Sequence, residues 1–116
     1  MIIQAKEYVS TGFDSDDAKI ISNLTDNLLQ KGESVTIDFT GIDLFCTYFF
    51  RLALVYRFET MSKNEYDEKI KVVGLNKPGK AAYQTAYDGA VSYYRLTPEL
   101  RRELDMEIAE LIEEYL

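Results

Sequence analysis

No histidine occurs among the 116 residues, and there are one cysteine and two prolines. Without an imidazole, Ser-His-Asp and Cys-His nucleophile systems are excluded, as are zinc sites that use histidine. Cys46 by itself forms no intrachain disulfide and supports neither a thiolate-only zinc site nor an iron–sulfur cluster. A carboxylate-only Mg²⁺ or Ca²⁺ site is left open, but no DxDxDG-type loop is present. No apolar run approaches the ~20 residues that cross a bilayer. The opening "MIIQAKEYV" lacks the basic start and apolar core of a signal peptide. These absences lead to the expectation of a cytoplasmic, non-enzymatic protein with no metal and no cofactor.

What is present is a chain of ordinary domain size, 47% hydrophobic, with net charge −7. A chain this long buries roughly two-thirds of the surface its unfolded form exposes, enough for a normal core. One domain spanning residues 1–116 is expected. The charge is uneven: residues 1–60 carry −4, 61–96 carry +2 and 97–116 carry −5. Direct binding to nucleic acid phosphates is therefore disfavoured over the molecule as a whole.

Residues 1–9 read as an edge strand, Ile3 and Ala5 alternating with Ile2, Gln4 and Lys6. A helix follows, with Asp14 or Ser15 as cap, a stripe of Ile21, Leu24 and Leu28, and Gly32 as its stop. "SVTIDFTG" alternates Val35, Ile37 and Phe39 against Thr36, Asp38 and Thr40, a strand ended by Gly41. A second helix is expected from about Thr47 to Met61, then a polar connection through "NEYDE" and a third strand, "KIKVVGL". Asn76 and Pro78 open a third helix. Thr97 and Pro98 open an acidic fourth over 97–116, striped by Leu100, Leu104, Ile108, Leu111 and Tyr115. The order β-α-β-α-β-α-α implies an α/β class with a small, mostly parallel sheet in one layered domain.

The second helix is apolar nearly all round. Phe50, Ala53, Leu54 and Met61 suffice for a core stripe, which leaves Phe49, Leu52 and Tyr56 pointing elsewhere. Their cover is either the C-terminal helix or another molecule. At its start, Thr47 is expected as cap, its hydroxyl accepting a first-turn amide for about 1 kcal/mol. A phosphate on Thr47 would meet free amides and the positive end of the helix, beside Tyr48 and Phe49. Asp38 reads as a carboxylate bonded to loop amides around Gly41, or with Asp43 as part of an ion site at the sheet mouth. Cys46 reads as a small buried hydrophobe, or as a thiol activated by the helix terminus.

"VTIDFTGIDLFCTYFF", Val35 to Phe50, resembles the signature of STAS domains, the sulfate-transporter and anti-sigma-factor-antagonist fold. Asp38, Thr40, Gly41 and Ile42 fall on its strand-and-turn positions, and Thr47 on the serine that partner kinases phosphorylate in the antagonists. The segment is more similar still to the divergent bacterial STAS-like family of unknown function, as is "KVVGLN" followed by a helix rich in Tyr and Ala. Cys46 stands where the antagonists have Asp, Tyr48-Phe49 replaces Ser-Gly, and one amino-terminal strand stands in place of two. The resemblance implies a STAS-like layered fold and a regulatory, protein-binding role. It also implies Thr47 as phosphoacceptor and a docking surface of Gly41, Asp43, Tyr48, Phe49, Arg51, Leu52 and Tyr56. The implied partner is a kinase-like ATPase, a sigma-factor regulator or a second copy of the chain. The rival expectation is a small acidic inhibitor from a phage or mobile element, whose Glu103, Glu107, Glu110 and Glu114 would occupy the basic channel of a host nuclease.

Overall fold

A computed structural model describes residues 1–114. The opening alternation is a strand only over β1 (Ile2–Gln4), after which Ala5–Glu7 tighten into a 3-10 turn. Ile3 and Ala5 are buried, as the alternation implies. Helix α1 (Ser15–Gln30) starts at Asp14, whose carboxylate accepts the Asp16 amide at 2.7 Å. It ends before Gly32, which adopts φ +79°, the left-handed conformation common just past a helix end. Strand β2 (Val35–Asp38) buries Val35 and Ile37, with Phe39 just beyond, while Thr36 and Asp38 are half-exposed.

Helix α2 (Thr47–Ala53) is about half the length expected. At Leu54 the backbone leaves helical geometry (φ −133°, ψ −57°), and Val55–Glu59 wind on as a 3-10 turn. Arg57 accounts for the break. Its guanidinium takes the Ala53 carbonyl at 2.6 Å and shares the Leu54 carbonyl, at 3.3 Å, with its own backbone amide. It also reaches the Ser22 carbonyl at 3.0 Å and Asp26 at 2.6 Å, so the turn is latched to α1. Only 4% of Arg57 is exposed. The expected polar connection contains helix α3 (Lys63–Lys69), which Ser62 caps by accepting the Glu65 amide at 3.1 Å. The Ser-x-x-Glu spacing is a capping signature, and Tyr66, 1% exposed, is the helix's apolar anchor.

Strand β3 (Ile70–Val73) turns at Gly74 (φ +75°) into α4 (Lys77–Tyr94). Asn76 accepts the Gly79 amide at 2.8 Å, and Pro78 lies in the first turn. Thr97 accepts the Leu100 amide at 3.2 Å and opens α5 (Pro98–Glu114). Tyr115, expected as the last member of the α5 stripe, lies outside the described residues.

All strand pairs are parallel, in the order β1-β2-β3, with Ile3 beside Ile37 and Ile37 beside Val72. The fold is thus the α/β class expected, with one helix more, α3, ahead of the third strand. Helix α2 packs between α1 and α4. Phe39, Phe49 and Phe50 meet there edge to face, centroids 5.3 to 6.1 Å apart, and none is exposed. Such pairs contribute about 1 kcal/mol each beyond the burial of their surface. Phe45 stacks on Phe50 at 5.7 Å. Its ring fills the space where side chains of Gly12 and Gly79 would begin. Among the described residues, no helix is long and apolar enough to cross a membrane.

Replacing Arg57 with Ala removes the donor to the Ala53 carbonyl and the cation beside Asp26, so it is expected to cost about 3 kcal/mol in urea unfolding. Asp26→Asn, which keeps an acceptor oxygen on a half-exposed side chain, is expected to cost less. An Arg57→Ala midpoint near that of the parent chain would show that the latch does not hold the break.

Candidate functional site

With Phe49 and Phe50 both drawn inward, the outer side of α2 carries Thr47, Tyr48, Arg51 and Leu52. Together with Val55 and Tyr56 these form one wall of a groove of about 850 Å³. The other wall is α4, which presents Thr85, Ala86, Gly89, Ala90 and Tyr93. Leu96 and Leu104 close one end, where α4 gives way to α5. The groove exists because α4 offers almost no side-chain volume at positions 86, 89 and 90; beyond Gly89 an added Cβ would meet nothing within 4 Å. Tyr48 is 57% and Tyr56 37% exposed. The Tyr56 hydroxyl lies 3.0 Å from Ser22 Oγ, and the Arg57 guanidinium sits 4.7 Å over its ring, so Tyr56 stands firmly in place.

Five residues named from the sequence therefore converge here: Thr47, Tyr48, Arg51, Leu52 and Tyr56. Phe49 does not. It is wholly buried, because α2 is covered by both α1 and α4 and two neighbouring aromatic rings turn into the core. Gly41 and Asp43 lie in the loop before α2 and do not line the groove. Gly41 adopts φ +88° with the Lys6 stem against it, and the Asp43 carbonyl accepts from Asn76 Nδ2 at 2.9 Å. Thr47 is half-buried and is the first helical residue. The cap position belongs to Cys46, and α2 has no side-chain cap, so the capping role expected of Thr47 is not observed. The Cys46 thiol is half-buried, 3.8 Å from the Phe13 carbonyl. Glu103, Glu107, Glu110 and Glu114 are exposed along α5.

Asp38 has a structural occupation. Its Oδ1 accepts the Thr40 hydroxyl at 2.6 Å and the Thr40 amide at 2.9 Å, and these bonds hold its carboxyl below the usual range. Gly74 abuts that carboxylate, which leaves no room for a side chain there. Among the described residues no group of three or more acidic or cysteine side chains is placed to share an ion.

A second, smaller cavity, about 240 Å³, was not foreseen from the sequence. It lies beside β3 among Tyr66, Asp67, Lys71, Tyr83 and Tyr87. The Tyr66 and Tyr83 hydroxyls bond each other at 2.8 Å, and Tyr87 donates to Asp67 at 2.6 Å. Lys63 closes the chain on the other Asp67 oxygen at 2.9 Å. Burial pushes Tyr66 well above its ordinary value and Tyr83 up to about 12. For Asp67 burial acts upward, but the bonds from Tyr87 and Lys63 outweigh it and the carboxyl sits below its ordinary value. The i, i+4 spacing of Tyr83 and Tyr87 was the legible signal; the partner helix α3 was not.

Compared with known protein families, residues 17–80 match the one described as a STAS-like domain of unknown function. No curated protein and no solved structure matches the chain. The matched span holds the α2 wall of the groove and ends before the residues of the α4 wall.

Tyr66 and Tyr83 are neutral in the native state and titrate higher there than in the unfolded chain. The stability they contribute is complete below pH 10 and is lost as pH rises through about 12. Urea midpoints followed upward past pH 10 should fall, and fall less steeply in Tyr83→Phe, which itself costs about 1 kcal/mol at neutral pH. Equal alkaline slopes for the two chains would remove Tyr83 from the account.

Proposed function

The chain belongs to the family of STAS-like domains of unknown function, and from that premise we propose that it is a non-enzymatic regulatory module that binds a protein through the α2–α4 groove. The observation that supports this reading is the outward face of α2. Tyr48, Leu52 and Tyr56 line it beside the single cation Arg51, in a groove of about 850 Å³. Aromatic residues and arginine are the side chains that dominate binding energy at protein interfaces. By the resemblance, the partner is a kinase-like ATPase, a sigma-factor regulator or a second copy of the chain.

Thr47 belongs to this reading as its control point. It lines the groove and caps nothing, so its hydroxyl is not committed to holding the helix. A phosphate there adds up to about two negative charges next to the Tyr48 ring. An apolar partner surface would have to desolvate those charges, which disfavours docking. The protein so described acts in the cytoplasm, by occupancy and without turnover.

A photoreactive residue in place of Tyr48 should give one discrete protein adduct in host cells, and the same probe at exposed Asp14 should give none. No adduct at Tyr48 would count against the groove as a docking site. Thr47→Ala should change stability by less than about 0.5 kcal/mol and leave the adduct intact. Thr47→Asp should weaken the adduct with the fold unchanged. If both substitutions unfold the chain to the same degree, Thr47 is structural and the control point is lost.

A further inference from the structure

Helix α5 is the least explained part of the molecule. It runs for 17 residues and buries none of them. Yet Leu100, Leu104, Ile108 and Leu111 follow one another at i, i+4, i+8 and i+11, a single apolar stripe, with exposures of 37 to 54%. Helices in globular proteins owe most of their stability to such a face being covered. Its ties to its own chain are confined to the start. Tyr93 donates to Asp105 at 2.8 Å, Arg101 lies 5.3 Å from the Tyr94 ring centroid, and Leu104 closes the groove end. Past that point the helix projects. The radius of gyration is 15.1 Å, against about 13 Å for a compact domain of this length.

The same chain thus carries an uncovered apolar stripe and an uncovered apolar groove. We propose that each fills the other between two copies. The chain forms a two-fold dimer in which the α5 stripe of one protomer lies in the α2–α4 groove of its partner. This rests on the groove being a docking site, and names its occupant. Charge fits the pairing. Among the described residues Arg51 is the one charged residue lining the groove, and Glu103, Glu107, Glu110 and Glu114 flank the stripe on one side. Two α5 helices packed antiparallel on each other would instead bring those glutamate flanks together. The floor of Ala86, Gly89 and Ala90 lets a helix come close. A helix of this length is about 25 Å long and about 10 Å wide. The part of α5 past Asp105 offers about half of that length, and two reciprocal contacts on a two-fold axis double the area that one of them buries. The exchange is reciprocal and closed, so assembly stops at two.

Light scattering and sedimentation on the full chain test this. The parent chain should have twice the 13.4 kDa monomer mass. Ile108→Asp alters an exposed position and should leave the fold intact, checked by its melting curve. It should weaken self-association by more than about 30-fold. Gly89→Leu fills the groove into open space and replaces glycine in a helix, so the folded monomer should be at least as stable. It too should be monomeric. Mixing the two variants should restore part of the association, because one of the two reciprocal contacts then joins an intact groove to an intact stripe. A parent chain that stays monomeric at millimolar concentration overturns the proposal, as does a Gly89→Leu chain that remains dimeric, which would mean that α5 pairs with α5. A monomeric chain that still gives a protein adduct at Tyr48 would leave the docking groove standing and remove only the second copy as its occupant.

Discussion

Phe39 stands just past the end of the central strand with its ring edge-on to Phe49 and Phe50, and none of the three is exposed. Two adjacent helical residues lie about 100° apart around the axis, so both are buried where the helix is covered on two sides, as α2 is by α1 and α4. This packing sets the tilt of α2, and with it which residues are left outside. Once Phe49 and Phe50 are committed, Tyr48, Arg51 and Leu52 have nowhere to go but outward. The apolar character of the outer face follows from the demands of the inner one. The Arg57 latch then fixes where α2 stops, so the wall of the groove is already formed without a partner. A preformed surface loses little conformational freedom on association, which favours affinity for a given contact area.

The class and the sheet were legible because β2 alternates cleanly and because Gly32, Gly41 and Gly74 mark element ends where the backbone takes positive φ. The caps at Asp14, Asn76 and Thr97 were legible for the same local reason. Length along the second helix was not. An arginine inside an apolar run looks like a solvated side chain until Ser22 and Asp26, more than thirty residues earlier, are seen beside it. Helix α3 was hidden by composition, since a seven-residue polar helix held by one tyrosine has no stripe to read, although Ser62 and Glu65 carried its start signal.

The candidate site was half legible. Leu52 and Tyr56 were identifiable from an apolar helix with more hydrophobic surface than one core face can take, and Thr47, Tyr48 and Arg51 from the resemblance. Phe49 faces inward, where a long idealised helix with a single core stripe leaves it outside, and Gly41 and Asp43, which the resemblance joins to the docking surface, stay in the loop before α2. The α4 wall was invisible from the sequence, because Ala86, Gly89 and Ala90 contribute by what they lack. The matched family span, residues 17–80, likewise holds only the α2 side.

Phe45 has a consequence for how the chain emerges during synthesis. Its ring occupies the side-chain space of Gly12 and of Gly79, one thirty-three residues before it and the other thirty-four after. The first contact is available once the loop has been made, since the Gly12 amide and the Leu44 carbonyl are already joined at 2.7 Å in the same crossing. The second waits until the start of α4 has cleared the ribosome. Until then one side of a large aromatic ring is wet, and the aromatic nest beneath it is open at the top. Synthesis therefore delivers the closing piece late: β1 and β2 lie far enough ahead of Gly79 to pair while it is still inside the exit tunnel, whereas β3 emerges almost together with it.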